Sequence, residues 1–348
     1  MSKLRWSVLM VVSTVVACSG SSSPPSGADE SDASTGQTSD DGGSGASSSG
    51  ATQGGSSGGG TTSGGTGSTS SGSSGSSSGS GSTKDAGSTG VVMTTGSGPV
   101  IPAASGTCPT LATGTITVMG QSVQMFVGTK QEKAAPILFY WHGTGSTSGE
   151  VQAFMSSEIT EITGEGGVVA SFSTSTAMGQ DTGDAVWYTG DFAMADQILA
   201  CAVKQLNIDT RQIYSAGCSA GGLQTVAMLF ARSNYLAAAM PNSGGEAFAG
   251  EFPLEGKHVP ALVTTHGAMG TDMVVIDFAT ASATADTDVV SKGGFAVDCN
   301  HGGGHCGAPA VDVAAQWQFC KDHPFGVSPE PYAKGLPSSF PSYCTIIK

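Results

Sequence analysis

Gln212-Ile213-Tyr214-Ser215-Ala216-Gly217-Cys218-Ser219-Ala220-Gly221-Gly222-Leu223 is the stretch that decides the fold of this chain. The run from Gln212 to Ser215 reads as a strand. Leu223, Val226, Ala227 and Phe230 recur at the spacing of one helix face, so a helix opens near Gly221. Between them lies Gly217-Cys218-Ser219-Ala220-Gly221, a G-x-S-x-G pattern in the strand, sharp turn and helix setting that such an elbow needs. Glycines on both sides let the backbone turn tightly enough to hold the Ser219 hydroxyl above a sheet, and the Ala220 amide then faces the place where an oxyanion forms. In a chain with 53 glycines the bare pattern arises easily by chance. Its weight comes from its surroundings.

Two short runs, Thr115 to Met119 and Val123 to Val127, flank Gly120-Gln121-Ser122 and predict a hairpin. Further apolar runs follow at Ile137 to Trp141, Val168 to Phe172, Ala237 to Met240, Ala261 to Thr265 and Gly294 to Val297. Each ends in small or polar residues, which suits strands buried on both faces. Helical spacing lies between them: Asp191 is expected to cap a helix carrying Ala195, Ile198, Leu199, Ala202, Val203 and Leu206 on one face. Strands alternating with helices predict an α/β domain over 107–348, a mostly parallel central sheet flanked by helices. In that architecture chemistry gathers beyond the carboxyl ends of the strands.

A serine hydroxyl is a weak nucleophile until a base takes its proton, and a histidine base in turn needs an orienting carboxylate. Ser219, Asp272 and His305 occur in that order, each just beyond a strand end, and this is the chain order of the α/β-hydrolase fold. Asp272 sits in the loop that begins at His266, whereas Asp277 is placed inside the following helix. His305 is preferred to His301 because Gly302-Gly303-Gly304 frees its loop to approach the elbow. The strand ending at Trp141 runs into His142-Gly143-Thr144, so the Thr144 amide is expected to be the second oxyanion donor beside Ala220. His142 reads as a loop histidine satisfied by the backbone, and His266 as strand-end packing. Trp187-Tyr188 is expected to wall a substrate pocket, with core packing an equal alternative for Trp187; Trp141 reads as packing beneath the oxyanion turn and Trp317 as core. This chemistry needs neither a metal nor a cofactor.

Of eight cysteines, seven remain once Cys18 is set aside, so at least one thiol stays unpaired within a monomer. Cys218 precedes the candidate nucleophile and Cys306 follows the candidate base. If Ser219 and His305 meet, their neighbours come within the roughly 4.4–6.8 Å Cα separation that a disulfide requires. The arrangement Cys218-Ser219, Asp272, His305-Cys306 resembles that of the tannase and feruloyl esterase family, where a bridge joins the same two neighbours. Those enzymes usually carry a large lid before the acid. Here only Glu246 to His258 lies between Ser243-Gly244-Gly245 and the next strand, so no lid domain is expected. In size and order, residues 107–326 are more similar to the lidless polyhydroxybutyrate depolymerase and small feruloyl esterase branch of α/β-hydrolases. The resemblance implies serine ester hydrolysis through an acyl-enzyme, on polyesters or on feruloyl and aryl esters. A competing arrangement would gather Cys299, His301, His305 and Cys306 around zinc, but four ligands within eight residues depart from the paired-element spacing of zinc motifs. Spacing does not fix the pairing of Cys108, Cys201, Cys299, Cys320 and Cys344; Cys320 with Cys344 is the pairing we expect.

The formal charge of -14, with 27 acidic and 13 basic residues, leaves no electrostatic footprint for gripping phosphates and excludes nucleic acid as a partner. Residues 41–90 are almost all Gly, Ser and Thr, too poor in apolar side chains to offset the entropy of ordering them. Lys3 and Arg5 precede the apolar run Trp6 to Ala17, which is too short to span a bilayer and of the length of an export signal's core. The run ends in Val15-Val16-Ala17-Cys18, which resembles a bacterial lipobox. That resemblance implies that residues 1–17 are removed and that a lipid on Cys18 anchors the exported chain to a membrane of the cell envelope. Residues 18–106 then form a tether with a span of roughly 50 Å, from ~5–6 Å times the square root of its length. The expected protein is a monomer meeting small or polymeric esters outside the cytoplasm. Two rivals remain: a surface binding protein on the same scaffold, against which the complete Ser219, Asp272 and His305 set argues, and a peptidase, for which no pocket signature is visible.

Overall fold

The computed structural model of the protein describes residues 98–176 and 187–348. The expected signal segment, Cys18 and most of the tether lie outside the described residues. Strands β1 (Gly114–Val118) and β2 (Gln121–Val127) are joined by Met119 and Gly120, whose φ of 51° and 82° give the left-handed pair that a two-residue hairpin turn uses. Gln121 and Ser122, expected in the turn, instead pair with Val118 and Thr117. The chain continues through β3 (Ala135–Trp141), α1 (Glu150–Gly164), β4 (Val168–Phe172), a 3₁₀ turn at Thr189–Asp191, α2 (Phe192–Gln205) and β5 (Ile208–Cys218). It then forms α3 (Ala220–Ala231), β6 (Ala238–Asn242), β7 (Ala261–His266), α4 (Phe278–Ser291), β8 (Ala296–Asn300), α5 (Ala310–Asp322) and β9 (Cys344–Ile346). The segment between β6 and β7 contains neither helix nor strand.

The strands form one sheet in the order β1-β2-β4-β3-β5-β6-β7-β8-β9. From β4 to β8 every neighbour is parallel, and antiparallel strands close both edges. Central β3 is buried at all its positions, which is why its sequence is a continuous apolar run. Its alternate residues feed two cores. Ile137, Phe139 and Trp141 join Phe172, Phe192 and Phe230 beneath α2, α3 and α4, while Leu138 and Tyr140 join Ile159, Tyr214, Trp317 and Phe319 beneath α1 and α5.

Asp191 does not cap α2 through its side chain. The buried carboxylate instead accepts the Thr176 amide and hydroxyl, both at 2.7 Å, and the Tyr188 amide at 3.0 Å, tying together two loop segments. Val203, expected on the buried face of α2, is exposed. The Val100 amide donates to the Asn234 carbonyl at 2.9 Å, and the Ser105 amide and hydroxyl donate to Gln197 Oε1 at 2.7 and 2.9 Å. The folded chain therefore reaches back past the boundary expected at residue 107. Just beyond, Cys108 is bridged to Cys201 of α2.

The expected Cys320–Cys344 pairing is wrong. β9 zips antiparallel onto β8 with Cys344 directly opposite Cys299, and these two form the bridge at a Cα separation of 4.0 Å. Cys320, on the buried face of α5, is a free thiol, and burial pushes its pKa up.

Candidate active site

Ser219 stands alone between the end of β5 and the start of α3, with φ 57° and ψ -121°. This conformation is costly for a residue with a Cβ and persists only where surrounding structure enforces it. The Ser219 amide donates to the Asn242 carbonyl at 3.1 Å, and its carbonyl accepts the Leu223 amide at 2.9 Å. The two flanking glycines are required by space. A Cβ on Gly217 would lie 2.4 Å from the Trp141 carbonyl oxygen, and one on Gly221 would lie 1.8 Å from the same atom. The elbow is thus pressed against the end of β3, and the left-handed turn falls on the serine itself.

Asp272 is completely buried midway along the loop between β7 and α4. Its Oδ1 accepts from His305 Nδ1 at 2.7 Å, and its Oδ2 accepts the Gly267 amide at 2.9 Å and the Ser243 hydroxyl at 2.7 Å. Burial alone would raise the pKa of this carboxyl. The donated hydrogen bonds, that of His305 first, outweigh burial and hold it below the usual aspartate range. A carboxylate only accepts, so the Nδ1 proton of His305 is fixed and Nε2 is the nitrogen left for proton transfer. The Phe278 ring lies 4.6 Å from the imidazole, and the His305 side chain remains 25% exposed.

Cys306 is bridged to Cys218 with their Cα atoms 6.0 Å apart, so the residue after His305 is fastened to the residue before Ser219. Among the described residues no hydrogen bond engages Ser219 Oγ or His305 Nε2. His305 and Asp272 are in direct contact; His305 and Ser219 are brought into one neighbourhood by the bridge.

The turn after β3 abuts the elbow. A Cβ on Gly143 would lie 3.4 Å from Ser219 Cβ and from the Cys218 carbonyl oxygen. The Gly143 amide is committed to the Glu150 carboxylate at 3.1 and 3.2 Å, and the same carboxylate accepts the Tyr140 hydroxyl at 2.9 Å. Burial and this carboxylate push the Tyr140 pKa up. Two amides beside the elbow, those of Thr144 and Ala220, have no acceptor among the described residues; the latter is one of the orphan donors of a helix start. Both ring nitrogens of His142 face backbone carbonyls, of Gly143 at 2.8 Å and Ser173 at 2.9 Å.

Of the two places expected for Trp187, pocket wall or core, its burial fits the core. Its indole N–H donates to the His142 carbonyl at 2.9 Å, and it packs edge-on against Trp141 and His142. It therefore buttresses the His-Gly turn from below. Tyr188 is the exposed member of the pair, with its hydroxyl 3.0 Å from Thr176 Oγ1.

The zinc arrangement fails on its donors, because Cys299 and Cys306 are each consumed in a disulfide and His305 is held by Asp272. His301 Nδ1 accepts the Gly303 amide at 3.1 Å. Asp277 is not inside α4 but caps it, accepting the Thr280 amide at 2.9 Å and the Gly270 amide at 2.6 Å. His266, read as strand-end packing, is paired with Asp298 at 2.7 Å. Burial acts to lower its pKa, but Asp298 and the Gly267 carbonyl raise it on balance. Three contributors carried no recognised signal: Glu150, Phe278 and Ser243. Only Ser243 had a usable cue, since it opens a Ser-Gly-Gly turn at the carboxyl end of a strand.

No family model and no curated protein matches this sequence. Solved structures do match. Native pOPH is 15% identical with a TM-score of 0.54, over 69% of this chain and 96% of that one. Native sOPH is 16% identical with a TM-score of 0.54, over 71% and 97% respectively. A carboxylesterase from Bacillus cereus is 16% identical with a TM-score of 0.42, over 57% and 93%. At such identities the first two establish likeness of fold. With the strand order and the elbow after β5, the described domain has the α/β-hydrolase fold.

Proposed function

We propose that this protein is a serine carboxylic ester hydrolase working through an acyl-enzyme. As Ser219 Oγ bonds to the ester carbonyl carbon, its proton passes to His305 Nε2, and Asp272 orients the imidazole and stabilises the imidazolium. Charge moves onto the carbonyl oxygen, where the amides of Ala220 and Thr144 donate. Collapse of this adduct breaks the bond to the alcohol oxygen, which leaves with the proton from His305. Water then adds to the acyl carbon while His305 takes its proton. A second collapse releases the acid and returns the proton to Ser219 Oγ.

The observation that carries this reading is the buried Asp272 holding His305 by Nδ1, on a loop bridged through Cys306 to the residue before Ser219. As substrates we propose neutral esters outside the cell, polyesters or feruloyl and aryl esters. The absence of secondary structure between β6 and β7 supports an open site. Met269, Met273, Val274 and Val275 are exposed on the loop that carries Asp272, an apolar rim suited to such material, and a formal charge of -14 disfavours polyanions. Tyr188 is an exposed aromatic that we propose as a contact for the acyl group. Export and anchoring through a lipid on Cys18 rest on the lipobox resemblance.

The test is to treat the full-length protein with a fluorophosphonate probe, map the labelled peptide and compare Ser219→Ala. Stoichiometric labelling at Ser219, followed by turnover of nitrophenyl esters, methyl ferulate or hydroxybutyrate oligomers, is the expected result. A folded protein that takes no label would sink the reading, and a noncatalytic surface binder would replace it.

A further inference from the structure

Ser243 is buried, and its backbone is left-handed at φ 46°. Its amide donates to the Thr265 carbonyl of β7 at 2.7 Å. The following glycines lock this turn between two helices: a Cβ on Gly244 would lie 2.5 Å from the Gly222 backbone of α3, and one on Gly245 would lie 2.2 Å from the Ala281 backbone of α4. A glycine at position 243 would adopt the same φ at lower cost. What serine adds is a hydroxyl that both donates and accepts. Its single proton goes to Asp272 Oδ2 at 2.7 Å, because the carboxylate can only accept, and a lone pair then accepts the Cys306 amide at 2.9 Å.

These bonds close a ring. Asp272 Oδ1 holds the side chain of His305, Cys306 follows it in the chain, and Ser243 returns from the Cys306 amide to Asp272 Oδ2. We infer that Ser243 is a positioning residue, whose hydroxyl fixes the rotation of the Asp272 carboxylate and the backbone after His305 so that the imidazole is presented to Ser219. The inference rests on the ester hydrolase reading for its consequence in turnover, but not for its geometry. The disulfide fastens Cys306 to the elbow by its side chain, and Ser243 fastens the same residue to the acid by its backbone.

The experiment compares Ser243→Gly and Ser243→Ala with wild type in the full-length protein, on a soluble ester. The glycine variant relieves the backbone and so keeps the comparison valid if alanine fails to fold. Both are expected to lower kcat about 10- to 100-fold with KM within about twofold, the scale of a small misplacement of a reacting group. Both should also move or broaden the downfield Nδ1 proton resonance, identified by its loss in His305→Gln. A glycine variant with wild-type kcat and an unmoved resonance would overturn the proposal. So would activity retained by glycine and lost by alanine, which would make the backbone the operative feature. If wild type hydrolyses no ester, the functional reading falls by itself, and the resonance alone decides whether Ser243 positions His305.

Discussion

Cys218 and Cys306, with Cα atoms 6.0 Å apart, clamp the two loops that carry Ser219 and His305 across 88 residues of sequence. Closing a loop of that length restricts the unfolded chain by an amount worth about 4–5 kcal/mol in the chain-entropy account. The larger consequence is geometric, because no hydrogen bond among the described residues joins Ser219 to His305. The double variant Cys218→Ala/Cys306→Ala should keep its helix and strand content by circular dichroism, yet lose at least tenfold in kcat. Loss of both together would mean that the bridge serves folding alone; a peptide map of active wild type with both thiols free would remove it altogether.

Asp272 carries three donated hydrogen bonds, and its lowered pKa means that the carboxylate persists through any neutral working range. With a folded value below the unfolded one, its stabilisation is present above the usual aspartate range and lost as pH falls through the folded value. Asp272→Asn should reduce kcat by about 10³–10⁴, the scale of losing the orienting carboxylate of a triad. It should also flatten the acid side of the thermal stability profile. Full activity in this variant would move the acid role elsewhere.

The elbow and the order Ser219, Asp272, His305 were legible because they depend on local pattern: strands buried on both faces leave continuous apolar runs, and the motif lies between one such run and a helix. What stayed hidden depended on distant elements meeting. α1 places buried Val151, Met155, Ile159 and Ile162 at helical spacing, but Glu158 stands within that stripe and Met155 departs from helical geometry, so the apolar signal is broken. β9 is three residues long, and only its register against β8 shows why Cys344 meets Cys299. Trp187 beside Tyr188 could not be assigned to inside or outside without the carbonyl of His142 to receive its indole proton. Ser243 acquires meaning only where β6, the acid loop and the histidine loop converge.

Glu246 is fully buried, and its Oε2 has no hydrogen-bond partner among the described residues. Burial, and then the nearby Asp288, push its carboxyl from an ordinary value near 4.5 up to about 8. A raised folded value means that proton binding favours the folded state. The contribution is complete below about pH 4.5 and is lost as pH rises through about 8. Wild type should therefore lose thermal stability between pH 5 and pH 9 to a degree that Glu246→Gln, similar in shape and uncharged, does not. Melts showing the same pH slope for both proteins would exclude Glu246 as the group responsible.

Met269, Met273, Val274 and Val275 protrude from a loop that is held firmly rather than loosely. The Asp272 amide donates to the Ala268 carbonyl at 2.9 Å, and the Gly270 amide to Asp277 at 2.6 Å. A rigid display of apolar side chains beside the acid loses little entropy on meeting a solid apolar substrate. Removing it should affect capture at a surface and leave the chemical step alone. Met269→Ser combined with Val275→Ser should leave kcat and KM on a short soluble nitrophenyl ester within about twofold of wild type. The same variant should lose about tenfold in hydrolysis of polyester particles and in the fraction bound to them by sedimentation, since each apolar side chain buried at such a surface contributes on the order of 1 kcal/mol. Equal losses on soluble and particulate esters would show that the loop acts through Asp272 instead, and unchanged binding to particles would remove it as a contact surface.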